Sequence, residues 1–251
     1  MGNAIEKTFS ILERIVSAAP EPLPPSVLAA ELNLNRATCS RLLKQLMDLG
    51  YILRFSRQQG YVPGPKLATL NSIAGFQRDL IQTAKPVIDR CASELRASVL
   101  IAQLYGGKRY VLYHRNDCPS LDIRISRPCY DDIFCTATGL LLIAHCGREE
   151  QIARLREQKS AGREIMSDFS SEKNLSRKLQ AIVEQGMFEC EKGVQWIYAF
   201  PIYRDGKFCA ALGSSIPREQ HTPAVHRMMC RVLKQTAQEI SRGLTPRYTI
   251  G

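Results

Sequence analysis

The stretch between Ser26 and Lys66 constrains the chain most. Prolines at 20, 22, 24 and 25 stop one helix, and they stand where the first turn of a second, from about Ser26 to Leu32, tolerates them. Asn33-Leu34-Asn35 then makes a tight break. Asn33 suits the left-handed conformation that ends a helix, and Asn35 suits the cap of the next. That next helix is expected from about Arg36 to Leu49, closed by Gly50. Two extended stretches follow, Tyr51–Phe55 and Tyr61–Val62, around the polar tip Ser56-Arg57-Gln58-Gln59-Gly60. Upstream, residues 4–18 place Ile5, Phe9, Leu12, Ile15 and Val16 at spacings of three and four, the period of an amphipathic helix.

Helix, short helix, tight turn, helix and basic hairpin is the order of a winged helix-turn-helix. Leu28, Leu32, Leu34, Leu42, Leu43, Leu46 and Leu49 are the expected packing face. Arg36, Ser40 and Lys44 then form a polar stripe at spacing four, with Ala37 and Arg41 beside it. Short side chains at Ala37, Thr38 and Ser40 let the backbone approach a major groove closely, where base edges offer donors and acceptors. Arg36 and Arg41 suit a guanine edge or a phosphate, and Lys44 suits a phosphate. Arg54, Arg57 and Gln59 on the wing would meet an adjacent minor groove or backbone. From Arg36 to Lys66 there are six basic residues and one acid, Asp48, within a chain of net charge +10. That bias favours a polyanionic partner. The competing reading, a helical bundle with a solvated charged face, does not account for the turn and the hairpin together.

The remaining sequence changes character. Residues 66–95 read as helical, with Pro86 expected to start a second helix. Ser98–Tyr105 and Lys108–His114 read as strands joined by Gly106-Gly107, and Leu121–Ser126 alternates as a third. Helices are expected at Thr136–Cys146, Arg148–Gln158 and Leu175–Gln185. Asp205-Gly206 joins strands Val194–Arg204 and Lys207–Ile216. A last helix starts at Thr222-Pro223, with Val225, Met228, Val232 and Ile240 on one face and Gly243 behind it. The fold class is therefore α+β. An N-terminal winged helix-turn-helix (1–66) leads through a helical linker (67–85) to a C-terminal α/β domain with a mostly antiparallel sheet (86–251). No apolar run reaches the roughly 18 residues of a membrane span. The first residues lack the basic start and apolar core of a signal peptide, so a cytoplasmic protein without membrane contact is expected. The nine cysteines form no Cys-x-x-Cys pair, and the four histidines offer no HExxH or metal-ligand spacing. Neither a metal nor a cofactor is expected.

Leu28-Ala29-Ala30-Glu31-Leu32-Asn33-Leu34-Asn35-Arg36-Ala37-Thr38-Cys39-Ser40-Arg41-Leu42-Leu43-Lys44-Gln45-Leu46, with Leu49-Gly50-Tyr51-Ile52 and Tyr61-Val62-Pro63-Gly64-Pro65-Lys66-Leu67, resembles the DNA-binding domain of IclR-type bacterial transcriptional regulators. The resemblance extends to Thr136-Ala137-Thr138-Gly139-Leu140-Leu141-Leu142-Ile143-Ala144, Gly186-Met187-Phe188, Ala199-Phe200-Pro201-Ile202, Asp205-Gly206-Lys207 and Ala210-Ala211-Leu212 with Ser215 and Pro217. It covers nearly the whole chain. It implies a GAF-like C-terminal domain that binds a small-molecule effector. It further implies homodimers or homotetramers on pseudo-palindromic double-stranded operator DNA. Pairing also fits the physics, because one winged helix reads too few bases.

Carried over by motif, the effector residues are Ala137 and Thr138 in the small-residue loop, Trp196, Gly213 and Ser215 on the late strands, and Ile123 as an apolar wall. The N–H groups of that loop, which opens a helix, suit a carboxylate or phenolate. Phe134 stands where the family commonly has His, Leu140 where it has Lys, Trp196 where it often has Cys, and Gly213 replaces a hydroxyl-bearing residue. The acidic segment between Gly186 and Gly193 is short, leaving Glu189 and Glu191 as candidate acids. These departures favour an aromatic or larger apolar effector over a small keto-acid. Cys135, Cys146, Cys190 and Cys209 read as small buried residues rather than redox or metal sensors. Two other functions compete. One is a DNA-binding regulator whose C-terminal domain only oligomerises. The other, more remote, is a hydrolase-like enzyme with Cys135 or Ser215 as nucleophile and His114 or His145 as base. No nucleophile-elbow pattern, paired carboxylates or phosphate-cradling loop supports the latter.

Overall fold

The computed structural model describes residues 3–56, 59–74, 77–125, 127 and 129–244. The chain divides into two compact units between Arg78 and Asp79, inside the stretch expected as the linker.

In the first unit α1 (Ala4–Ala18), α2 (Pro25–Glu31) and α3 (Arg36–Asp48) precede a hairpin of β1 (Ile52–Ser56) and β2 (Gly60–Pro63). Asn3 caps α1 in a reciprocal box with Glu6. Ile11, Leu12, Ile15, Leu28, Cys39, Leu42, Leu43, Leu46 and Ile52 form the core. Leu32 and Leu34 are partly buried against it, but Leu49 is 56% exposed because it caps the end of α3, where the chain turns away. Ile5, Phe9 and Val16 also remain exposed along α1. Leu23, unassigned in the sequence reading, exchanges both backbone hydrogen bonds with Tyr61 at 2.9 Å. Gly60 permits this: its φ is +107°, and a Cβ there would lie 2.0 Å from the Leu23 carbonyl oxygen. The unit continues into α4 (Pro65–Ala74).

The second unit is built on a six-stranded sheet of order β5-β4-β3-β8-β7-β6, with every neighbouring pair antiparallel. The strands are β3 (Ser98–Tyr105), β4 (Lys108–Asn116), β5 (Cys129–Tyr130), β6 (Phe188–Lys192), β7 (Gln195–Arg204) and β8 (Lys207–Pro217). The helices α5 (Arg78–Leu95) and α9 (Pro223–Leu244) share a core with Val99, Ile101, Tyr198, Phe200, Leu212 and Ile216 on one face. On the other face α6 (Ala137–Ala144) and α8 (Glu172–Gln185) pack with Ala102, Ala199 and Ala211, and α7 (Arg148–Ser160) adds Leu155. All eight residues of α6 are buried. Its leucines and isoleucine each stabilise the fold by about 1.5–3 kcal/mol.

Several local expectations are corrected. Pro86 starts no helix and lies inside α5. The proline removes one helical hydrogen bond, but Leu80, Ala84, Val87, Ile88 and Cys91 hold the helix by burial on both sides of it. Leu121–Ile125 is not a strand; Ser126 lies outside the described residues. The stretch is instead tethered locally, the Asn116 side chain donating to the Leu121 carbonyl at 2.7 Å. Glu189 to Glu191, read only as an acidic segment, belongs to the edge strand β6. On α9 the buried methionine is Met229, whereas Met228 is exposed. Gly243 is inside α9, not beyond it, and a Cβ there would meet Thr83 Cγ2 of α5 at 2.6 Å.

Candidate nucleic-acid interface and ligand cavity

The turn before α3 has the expected chemistry. Asn33 has φ +50°, and the Asn35 side chain accepts a hydrogen bond from the Thr38 N–H at 2.7 Å. With Cys39, Leu42, Leu43 and Leu46 turned into the core, Arg36, Ala37, Ser40, Arg41 and Lys44 are exposed and Thr38 is half-buried. No ion pair engages Arg36, Arg41 or Lys44 among the described residues. By contrast, Arg14 on α1 is paired with Glu31 of α2 through bonds of 2.7 and 3.1 Å. Arg54 is exposed on β1, its guanidinium 6.0 Å from the Tyr61 ring centre. Arg57 lies outside the described residues.

In the second unit a cavity of about 590 Å³ opens between the sheet and the N-terminal end of α6. Ile123, Ala137, Thr138, Gly213 and Ser215 all line it. The small residue at 213 is required by space: a Cβ would lie 2.5 Å from Thr138 Cγ2 and 3.2 Å from Leu100 Cδ1. Thr136 caps α6 by accepting from the Gly139 N–H at 3.1 Å. The first-turn N–H groups of Ala137 and Thr138 have no acceptor within the helix. Leu100, Ile125, Val194 and Ile197 add apolar wall, and Ser98 adds a hydroxyl.

Sequence reasoning missed the charged lining. Arg109 is only 7% exposed and is held bidentately by Asp132, one bond measuring 2.8 Å, with the Tyr130 ring centre 5.1 Å away. Lys192 donates to the Cys135 carbonyl at 2.5 Å and lies 3.4 Å from Glu164, which ties the loop before α6 to the edge of the sheet. No signal in the sequence singles out Arg109, which follows Lys108 at the start of the strand-like run Lys108–His114.

Trp196 is not part of this cavity. Gln195 and Ile197 line it, and alternation along β7 sends the residue between them to the other face. There its ring stacks on His221 at 3.7 Å, and Nε1 donates to Glu189 at 2.9 Å. Glu189 and Glu191 do not line the cavity either; Glu191 pairs with Arg218 at 2.8 Å. Phe134 and Leu140 are fully buried core residues.

The proposed catalytic pairings are also not assembled. His114 Nε2 lies 2.8 Å from Ser98 Oγ, and His145 Nδ1 lies 2.9 Å from the Leu141 carbonyl. Burial lowers the pKa of both imidazoles. Cys135 Sγ donates to the Asp132 carbonyl, and burial pushes its thiol up, as it does the thiols of Cys146 and Cys190, each to about 11. Such thiols are not the depressed-pKa nucleophiles of catalytic sites.

An exposed, uncommitted basic helix in one unit and a walled cavity in the other define a DNA-binding transcriptional regulator with a ligand-type domain. Residues 4–54 match the IclR helix-turn-helix domain, and residues 75–242 match the C-terminal domain of bacterial transcriptional regulator IclR. The chain therefore belongs to the IclR family, whose members are regulators and not enzymes. It is 28% identical over 185 residues to the HTH-type transcriptional regulator TtgV of Pseudomonas putida, covering 73% of this chain and 68% of that protein. An IclR homologue from Microbacterium hydrocarbonoxydans, solved with 4-hydroxybenzoate, superposes with a TM-score of 0.77 at 18% identity, covering 96% of this chain and 99% of the other. The Alicyclobacillus acidocaldarius regulator gives 0.76 at 16% identity, covering 97% and 99%.

Proposed function

We propose that this regulator binds a pseudo-palindromic operator as a homodimer or homotetramer in the cytoplasm, and that a small aromatic or apolar effector in the α6 cavity modulates that binding. The carrying observation is the cavity itself. Its walls are aliphatic and aromatic, from Leu100, Ile123, Ile125, Val194, Ile197 and Tyr130. Its polar groups include Ser98, Ser215, Gln195 and the start of α6 beside the charged Arg109, Arg124, Lys192 and Glu164, a balance that suits one carboxylate or phenolate on an otherwise apolar ligand. The structural neighbour solved with 4-hydroxybenzoate supports that ligand class. Arg36, Ala37, Thr38, Ser40, Arg41 and Lys44 would meet the major groove, with Arg54 and Arg57 on the flank. Homo-oligomerisation is supported by Ile5, Phe9 and Val16, an exposed apolar row on α1 at spacings of a helical face.

A thermal-shift screen tests the effector reading, with 4-hydroxybenzoate, neutral aromatics and pyruvate as probes. A ligand at 100 times its Kd stabilises the native state by about 2.7 kcal/mol, enough for a rise of several degrees. An aromatic hit that Gly213→Val abolishes supports the proposal. A response to pyruvate alone overturns the ligand class. No response to any probe favours a C-terminal domain that only oligomerises.

A further inference from the structure

On the face of the sheet opposite the cavity, three side chains of different chemistry converge. Glu189 on β6 and His226 and Cys230 on α9 place a carboxylate oxygen, an imidazole nitrogen and a sulfur all within 4.8 Å of one another. His226 and Cys230 are four residues apart on one helix and so share a face. His226 Nδ1 lies 3.1 Å from Glu189 Oε2 and 3.8 Å from Cys230 Sγ. A tetrahedral zinc ion with bonds of about 2.0–2.3 Å separates its ligand atoms by roughly 3.3–3.7 Å, so two of the three edges are already near that spacing.

We propose that Glu189, His226 and Cys230 bind a divalent cation of the zinc class. The mixed nitrogen, sulfur and oxygen set selects such an ion over magnesium or calcium, which take oxygen ligands. Binding releases the Cys230 proton to solvent, and the resulting thiolate and the Glu189 carboxylate together neutralise the ion's charge. Three protein ligands leave the fourth position to water. The surroundings are preorganised: Trp196 donates to Glu189, and the His221 ring stacks on Trp196 with its centre 5.5 Å from that of His226. His221 Nε2 is buried without a hydrogen-bond partner, so this corner already holds polar chemistry that the packing alone does not use. The ion would fasten the first turns of α9 to the edge strand. The expectation of no metal follows from the absence of Cys-x-x-Cys and HExxH spacings, which this discontinuous set does not use. The available signal was His226 and Cys230 one helical turn apart.

Trp196, the chain's one tryptophan, reports directly on Glu189. The test titrates metal-free full-length protein with Zn²⁺, following Trp196 fluorescence, and with Co²⁺, following the thiolate-to-cobalt charge-transfer band. The expected result is saturation at one ion per chain. Cys230→Ala and His226→Ala should each weaken binding at least about 100-fold, since even supporting partners of metal ligands are worth 10–100-fold. Cys190→Ser should bind as the parent does. Melting without metal checks that the variants fold, and Glu189→Gln, which keeps an oxygen for Trp196, serves if they do not. Absence of a saturable signal, or binding unaltered by the ligand variants, would overturn the proposal.

Discussion

On α3, Arg36, Arg41 and Lys44 stand exposed without an ion pair among the described residues. Around the cavity, Arg109 is clamped by Asp132, and Lys192 is bonded to the Cys135 carbonyl. The same residue types thus do different work. Uncommitted cations on a convex helix cost little to present in water and are free to displace counterions from a phosphate backbone. Committed cations beside a cavity hold its walls in place, leaving recognition to shape and to a few hydroxyl and N–H groups. Removing an arginine should therefore lower binding in one unit and stability in the other.

The sharpest contrast comes from Arg109→Ala. It leaves Asp132 without its partner, and truncating one member of a buried pair costs about 3–5 kcal/mol. Asp132 keeps some solvent exposure, at 23%, so the low end of about 3 kcal/mol is expected, read by denaturant unfolding. Unchanged stability would mean that the pair does not hold the wall. Arg41→Ala should leave unfolding unaltered and weaken operator binding by about 1–3 kcal/mol if it reads a base. If Arg41 meets phosphate, the loss should instead be equal on all sequences, with a shallower salt dependence. Retained affinity on every DNA would place the reading surface elsewhere. Asn35→Ala, between these extremes, removes the cap of the recognition helix and should cost about 1 kcal/mol of stability in the first unit.

The smallest effect is the response to acid, and it should be confined to the second unit. Burial lowers the pKa of His114 and His145, so the folded state keeps them neutral while the unfolded chain takes up protons near pH 6.5. Their contribution is fully present above that pH and is lost as pH falls through the folded-state values. Melting temperatures measured from about pH 7.5 to about 5.5 should fall for the parent and less for a His114→Gln/His145→Gln double variant. Equal slopes would remove these histidines from the account.

The two units also differed in how far they could be read from sequence. In the first, Asn33 and Asn35 act on neighbouring backbone groups, and Arg36, Ser40 and Lys44 follow from helical period alone, so local rules sufficed. In the second, position depends on tertiary partners. Trp196 was assigned by motif to the cavity, yet the face of β7 is fixed by which neighbours pack on α6, and Ile197 takes that side. Pro86 inside α5 and Gly243 inside α9 likewise break local rules because burial or close helix packing outweighs them. Glu189 is distant in sequence from His226 and Cys230 and meets them only when β6 lies beside β7 and α9 packs across it.

The measurement that bears most directly on the central claim is footprinting of genomic fragments by the purified full-length protein at near-physiological salt. A protected pseudo-palindrome, with half-sites about one DNA turn apart, is the predicted result. Weak, sequence-independent protection that vanishes as salt rises would contradict it, and would mean that the exposed cations of α3 attract nucleic acid without reading it.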